Sequence, residues 1–251
     1  MKQLCIILLI PLLHLSVKGH AQVLHEIGIT AGPVAITTDY GERGDFRNFY
    51  YNTGIGIGLQ HYMNFVFTGN NTRTNYFRDF FRIRTDLNYF QSELDHYGPI
   101  SYQNDPRGEL LRAMHGKTSI LEFGSQLEWH FTQIREYLIF SSRFSPYITA
   151  GVHLAYFMPE AYSELGPLDS PGVLFPSFKD GVNMEDGITA ALVFGGGTRY
   201  RLARNSDLVL EIKWQFYGSD YIEGLDVKGP QNQSNDWLIW LNVGYIYYLD
   251  F

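Results

Sequence analysis

Long stretches of this sequence alternate between two unlike faces, and this feature most limits what the chain can fold into. In NTGIGIGLQHYMNF, residues 52–65, the odd positions are mostly bulky and apolar, including Ile55, Ile57 and Leu59. The even positions are glycine or polar. Because a period of two places successive side chains on opposite faces of a β-strand, the stretch predicts a strand with one apolar and one small or polar face.

The same alternation recurs along the rest of the chain, which is rich in tyrosine, phenylalanine and glycine. Aromatic residues favour sheet over helix. Together with residues 52–65, the alternating stretches predict about eight strands, at residues 23–32, 80–90, 119–131, 145–157, 188–201, 207–216 and 237–251.

Two architectures hold eight antiparallel strands with unlike faces. A soluble lipocalin-like barrel turns its apolar face inward, whereas a membrane barrel turns it outward to lipid. Glycines on the polar face favour the membrane barrel because they make room in a narrow interior, as at Gly54, Gly56, Gly58, Gly195 and Gly197. The predicted fold is all-β, a single antiparallel up-and-down transmembrane β-barrel of about eight strands.

The polar face carries charges of both signs, which we interpret as a polar network filling the lumen. Glu122 and Glu128 lie on the same face as Arg82 and Arg84 of the preceding strand, so both are expected to pair with these arginines across the hairpin. The full predicted network is Arg82, Arg84, Glu122, Glu128, Arg199, Arg201 and Glu211. Four mid-strand residues on the opposite face are predicted to face lipid, namely Ile55, Leu87, Leu127 and Leu210.

The chain ends in WLIWLNVGYIYYLDF, its most apolar alternating stretch. A barrel closes by pairing its last strand with its first, so a terminal strand needs a lipid-facing row down to its end. This row also resembles the signal that the barrel-assembly machinery recognises in bacterial outer-membrane proteins, here Tyr245, Tyr247, Leu249 and Phe251.

Residues 1–21 have a lysine, a short apolar run and a Gly-His-Ala end, which predict a secretory signal peptide. A transmembrane helix is the alternative, but the run is too short for one. The barrel is then residues 22–251, and the chain's one cysteine, Cys5, is removed with the signal. The predicted location is the cell outer membrane, with outer-membrane lipid as a partner.

The formal net charge is −7, and carboxylates remain in excess after removal of the signal. This balance gives no support to nucleic-acid binding. The predicted outward loops are 37–52, 97–116, 158–186 and 218–236, and the periplasmic turns are 68–79, 132–144 and 203–206. Arginines in the first two turns suggest either a periplasmic partner or solvated turns, namely Arg73, Arg78, Arg135 and Arg143.

The sequence contains few candidate catalytic or metal-binding motifs. MHGKTS, residues 114–119, lacks the glycine that a phosphate-binding loop needs four positions before its Gly-Lys pair. DYGERGD, residues 39–45, offers three carboxylates for calcium, although a polar turn is favoured. His130 and His153 with nearby serines suggest a hydrolase alternative, but both histidines alternate with lumen positions. No cofactor, metal site or catalytic residue is predicted.

Residues 25–46 and 52–65 resemble a family of small exported barrels from Bacteroidota. The signal peptide, the His-Glu-Ile-Gly of the first strand and the strand count are also similar to the PorG barrels of the type IX secretion and gliding apparatus. The resemblance implies a non-enzymatic barrel that anchors a periplasmic secretion component. The alternatives are an outer-membrane enzyme acting on lipid or lipopolysaccharide, and a narrow channel.

Overall fold

A computed structural model describes residues 22–37, 40–41, 46–67, 75–139, 142–179, 181–225 and 236–249. The strands are β1 Gln22–Thr37, β2 Thr53–Phe67, β3 Phe81–Asp95, β4 Met114–His130, β5 Phe144–Ser163, β6 Gly187–Ala203, β7 Ser206–Tyr217 and β8 Trp237–Tyr248. The helices are α1 Phe46–Tyr51, α2 Tyr76–Phe80, α3 Pro106–Ala113 and α4 Ile134–Leu138, with a 3₁₀ turn at Pro176–Phe178. None of the helices in the described ranges is long and apolar enough to span a membrane.

The eight strands form one closed antiparallel barrel in sequence order, which confirms the predicted fold class. Each strand pairs with its neighbour in sequence, and β8 pairs with β1. In the closing pair, Tyr247 lies opposite Ile27 and Tyr245 opposite Ile29. The apolar terminal strand therefore sits in the sheet, where its backbone groups are paired.

The register makes the strands tilt. A path of paired residues leads around the barrel from Ile27 of β1 and returns to β1 at Thr37. Its intermediate residues are His61, Thr85, Ser125, Val152, Leu192, Phe216 and Trp237. The path comes back ten residues further along the strand. A stagger of this kind requires strands inclined to the barrel axis, at roughly 35–45°.

Glycines on the inner face admit the largest ring in the lumen. A Cβ at Gly56 would lie 2.8 Å from Trp240 Nε1, and one at Gly58 would lie 2.9 Å from Trp240 Cη2. Trp240 is completely buried between the strands. The sequence interpretation of these glycines as interior space therefore matches the packing at these two positions.

Strand ends differ from the sequence prediction at the end of the barrel that carries the longer connections, hereafter the external end. There β3 runs to Asp95, β4 begins at Met114 and β5 runs to Ser163. The predicted outward loops 97–116 and 158–186 are thus too long, and MHGKTS belongs to β4. The outward side chains of these extensions are polar, as in the Lys117–Glu160 ion pair of 3.8 Å, so the lipid-facing pattern does not mark them.

Connections predicted as irregular contain short helices. The connections at the opposite end, predicted to be periplasmic and hereafter called the periplasmic end, hold α2 and α4, and the external connections hold α1 and α3. Asp105 caps α3, since its side chain accepts a hydrogen bond from the Gly108 backbone at 2.8 Å. None of these helices exceeds eight residues, which is too short for an apolar period to appear in the sequence.

Candidate functional site

The outer surface of the barrel is an apolar band. The four residues predicted to face lipid all point outward and are exposed, at 60% for Ile55, 37% for Leu87, 38% for Leu127 and 50% for Leu210. Trp129 and Tyr247 lie on the same outer face towards the periplasmic strand ends. A closed barrel with such a band is built to cross a bilayer, because all its backbone groups are paired and lipid covers its side chains. This places the chain in the outer membrane.

The middle and periplasmic parts of the lumen form a charged level. Arg84 is at its centre, with Nε 3.0 Å from Asp86 and Nη1 2.9 Å from Glu128 and 2.8 Å from Glu211. Arg199 lies 2.6 Å from Glu26 and 2.9 Å from Glu128. These contacts join strands from opposite sides of the barrel and pair opposite charges that are out of reach of solvent.

The remaining predicted arginines lie lower in the same level. Arg82 is fully buried, with Nε 3.7 Å from Glu26 Oε1. Arg201 lies 3.3 Å from Asp207, and its guanidinium is 4.5 Å from the centroid of the Tyr248 ring. The structure therefore places all four predicted arginines inside the barrel.

One predicted pairing is wrong. Glu128 binds Arg84, but Glu122 contacts neither Arg82 nor Arg84. Its Oε2 is 3.0 Å from His153 Nδ1, and its Oε1 accepts a hydrogen bond from the Tyr217 hydroxyl at 2.6 Å. The register opposes Glu122 to Asn88, which lifts its carboxylate away from the arginines of β3.

The sequence reasoning missed four charged members of the level: Glu26, Asp86, Asp207 and Lys213. All four are buried, and Lys213 Nζ lies 3.1 Å from Asp86. Asp86 and Lys213 alternate with lipid-facing neighbours, so the period-two pattern marks them as inward. It does not predict the contact between Asp86 and Lys213, because these two residues are 127 positions apart in sequence.

An apolar plug fills the lumen above the charged level. Its centre is the edge contact between Phe90 and Trp240, whose ring centroids are 5.0 Å apart. Ile222 enters from the β7–β8 connection, and its carbonyl accepts a hydrogen bond from Thr118 Oγ1 at 2.6 Å. The plug consists of Val34, Ile36, Phe90, Ile120, Ala155, Phe157, Ala191, Tyr217, Ile222, Leu238 and Trp240.

External connections pack over the plug as a second apolar cluster, hereafter the external cap. Its members are Tyr40, Leu94, Leu111, Met114, Phe178 and Leu225. The His96 ring lies between Tyr40 and Phe178, at centroid distances of 4.7 Å and 5.2 Å. His96 Nδ1 accepts a hydrogen bond from the Gly41 backbone at 3.0 Å. Burial lowers the pKa of His96 from its usual 6.5 to about 3.

The periplasmic end is closed by α4. Ile134 and Leu138 of this helix pack against Leu24, Val66 and Tyr248 of the barrel. Tyr137 of the same helix is fully buried, and the Arg201 guanidinium lies 5.6 Å from its ring centroid. Apolar packing therefore seals the lumen both above and below the charged level.

A serine, a histidine and a carboxylate line up near the periplasmic end. Ser145 Oγ lies 2.8 Å from His130 Nδ1, and His130 Nε2 lies 3.2 Å from Glu128 Oε2. All three are completely buried, and Thr132 also donates to Ser145 Oγ at 3.0 Å. Glu128 is shared with two arginines. This arrangement resembles a nucleophile, a base and an orienting acid, but the Ser145 side chain has no solvent-accessible surface.

Several sequence hypotheses fall on other parts of the chain. Tyr245, Tyr247 and Leu249 of the predicted assembly signal point outward. Phe251, the signal peptide, Arg73 and the three carboxylates of DYGERGD lie outside the described residues. Within the described residues, no group of three or more histidine, cysteine or acidic side chains is arranged to hold a metal ion.

No protein-family model matches the chain, and no curated protein matches it. Among solved structures, a major outer-membrane protein of Thermus thermophilus is similar at 12% identity and a TM-score of 0.46, covering 90% of this chain and 99% of that one. Neisserial surface protein A is similar at 11% identity and 0.45, with 89% and 96% covered. The outer-membrane enzyme PagL is similar at 11% and 0.38, with 88% and 98% covered. At this level of similarity, no function passes from these proteins to this chain.

Proposed function

We propose that the protein is a non-enzymatic, sealed outer-membrane barrel that anchors ordered surfaces at its two ends. One observation carries this proposal, which is the closure of the lumen at three successive levels. The external cap and apolar plug close it from outside, the ion pairs fill its centre, and α4 closes it from the periplasm. A barrel filled in this way offers no path to a solute.

Conductance in planar bilayers tests the sealed lumen. We expect the purified protein to insert without producing stable current steps. The double variant Phe90→Ala/Trp240→Ala thins the plug and removes the Trp240 ring, which lies 4.9 Å from Lys213 Nζ, but it keeps the ion pairs and α4, and it should also remain closed. Steady conductance by the wild-type protein would replace the anchor proposal with the narrow channel.

A PorG-like role in secretion or gliding is the finer part of this proposal, and it rests on the short resemblance at residues 25–32. Periplasmic arginines supply a surface for such a partner. Arg143 is exposed and donates to the Tyr200 hydroxyl at 3.3 Å. Affinity capture from native membranes should recover a periplasmic protein, and an Arg143→Glu variant should recover less of it. Capture that is unchanged by this charge reversal would remove Arg143 from the docking surface.

The enzyme alternative is kept because of one observation, the alignment of Ser145, His130 and Glu128. A fluorophosphonate probe reacts with activated serines, so it separates the two functions directly. The anchor proposal expects no labelling of the protein in outer-membrane vesicles. Labelling of the wild-type chain that disappears in Ser145→Ala would establish a reactive serine and overturn the non-enzymatic assignment.

A further inference from the structure

Three exposed tyrosines and one half-buried tyrosine form an aromatic surface at the external end, hereafter the tyrosine surface: Tyr50, Tyr51 and Tyr102, with Tyr97 half-buried. Tyr50, Tyr51 and Tyr102 are 65%, 59% and 48% exposed. The Tyr51 ring centroid lies 5.2 Å from that of Tyr50 and 5.1 Å from that of Tyr97. Burial and the neighbouring Asp95 carboxylate raise the pKa of Tyr97, with smaller effects from Tyr102 and Tyr51.

Hydrogen bonds hold this surface in place. Buried Asn52 donates to the Asp95 carbonyl at 3.0 Å, accepts from the Asp95 backbone at 2.9 Å, and its carbonyl accepts from Ser92 Oγ at 3.0 Å. On the second segment, Arg112 donates to the carbonyls of Ser101 and of Gln103, the latter at 2.9 Å. Ordered backbone beneath large exposed rings is typical of a recognition surface, because the rings lose little entropy on binding.

The surface lies beyond the lipid-facing part of β3. On β3, the outward row that begins with lipid-facing residues continues through Tyr89, Gln91, Glu93 and Asp95 towards Tyr97. Asp95 lies roughly 15 Å above Tyr89 for a tilted strand that rises about 3.3 Å per residue. The tyrosines therefore meet whatever stands next to the barrel just above the bilayer.

The charged residues near the tyrosine surface limit the class of ligand that it can bind. The two segments that carry the tyrosine surface, 46–52 and 95–113, hold three arginines and three carboxylates, so no net charge there selects either a polyanion or a polycation. At Tyr102 a cationic headgroup is disfavoured, because the Arg47 guanidinium already lies 5.3 Å from the ring centroid. Flat phenol rings with hydroxyl edges suit an uncharged molecule that has one apolar face and many hydroxyls.

We propose that the tyrosine surface binds neutral sugar units of the lipopolysaccharide in the barrel's own outer leaflet. The C–H faces of the sugars stack on Tyr51 and Tyr97, and their hydroxyls exchange hydrogen bonds with the phenols. The proposal rests on the barrel standing in the membrane, so insertion is verified separately by protease protection of the strands.

The test uses nanodiscs that contain either lipopolysaccharide with a neutral hexose core or lipid A without that core. Hydrogen exchange of segments 46–52 and 96–103 should be several-fold slower with the hexose core than with lipid A alone. A third arm adds the detached core oligosaccharide to phospholipid discs, and we expect weaker protection because the membrane no longer concentrates the sugar.

Variants separate the tyrosine surface from its surroundings. Tyr51→Ala/Tyr97→Ala should lower the affinity for the hexose core about tenfold and return exchange to nearly the rate seen with lipid A alone, since two stacking contacts are lost. Tyr162→Ala removes another exposed tyrosine of the external extension and should leave protection unchanged. Equal protection with lipid A, or protection that requires choline headgroups, would assign the rings to the bilayer or to a cation and overturn the proposal. Absence of protection in an inserted barrel would overturn it too.

Discussion

Acidification should open the external cap, and His96 sets the pH at which it does so. This ring is buried between Tyr40 and Phe178, and it bridges connections from three parts of the chain. Nδ1 is occupied as an acceptor for the Gly41 N–H. Protonating that nitrogen removes the hydrogen bond and places a cation between two rings away from water, so the closed cap holds the neutral form.

The change in stability of the closed cap with pH follows from the pKa of His96, which is about 3 in the closed cap and 6.5 in water. Because the closed state binds the proton more weakly, its stability is complete above pH 6.5 and falls as the pH decreases towards 3. The loss is about 1.4 kcal/mol per pH unit, or about 2 kcal/mol at pH 5, and reaches about 5 kcal/mol at the lower limit.

A spin label at Leu174, which packs partly buried against the cap, reports its opening. Cys5 is the only cysteine and lies in the predicted signal peptide, so Leu174→Cys gives a single labelling site. Label mobility should rise between pH 6.5 and pH 4 while far-UV circular dichroism shows an intact barrel. His96→Gln, which keeps an acceptor for Gly41, should remove most of this rise.

The neighbouring histidine supplies the control. His115→Gln alters a side chain at the edge of the sheet, outside the cap cluster. The transition should remain, at a slightly higher pH, because His115 contributes a small part of the lowering of the His96 pKa. If His96→Gln opens at the same pH as the wild-type protein, the titration belongs to carboxylates of the external segments and the argument from His96 is refuted.

Three further predictions concern the bilayer, the cap and assembly. Leu127→Arg should lower the free energy of unfolding in liposomes by about 2–4 kcal/mol, whereas Leu127→Phe should leave it nearly unchanged, and equal values for the two would contradict the outward assignment. Gly116→Val should free the Leu174 label at neutral pH, because a Cβ there would meet the Tyr40 ring at 2.4 Å; an immobile label would show that the ring has another place to go. Phe251→Ala should reduce membrane-inserted protein in cells while the purified variant still refolds in detergent, and normal insertion would argue against the assembly signal.

The sequence predicts which face of the barrel wall a residue lies on far better than it predicts which residues it contacts. Alternation places Arg84 and Glu128 inside and Leu127 outside because the period of a strand is a local property. The contact between Arg84 and Glu211 joins residues 127 positions apart, and it depends on the register of every intervening strand. The misassigned Glu122 shows the limit, since the correct face was predicted but the height of the side chain in the lumen was not.

The residues that close the two ends of the lumen could not be predicted from the sequence, for a different reason. Tyr40, Phe178 and Ile222 lie in connections without any period, so their burial has no local signature. The short helix α4 also has no recognisable pattern in the sequence, although Ile134 and Tyr137 are completely buried. Apolar residues in loops point to a packed structure only after the barrel beneath them is known.

The anchor proposal places the functional surfaces at the two rims of the barrel, because side chains fill the lumen. Removing one partner of a buried ion pair costs about 3–5 kcal/mol, because the other charge is left uncompensated. Glu26, Arg84, Glu128, Arg199 and Glu211 therefore fix five strands relative to one another. The connections are built on this rigid frame, and β3 carries it outward to Asp95 and the tyrosine surface. Recognition at that surface then needs no movement of the barrel.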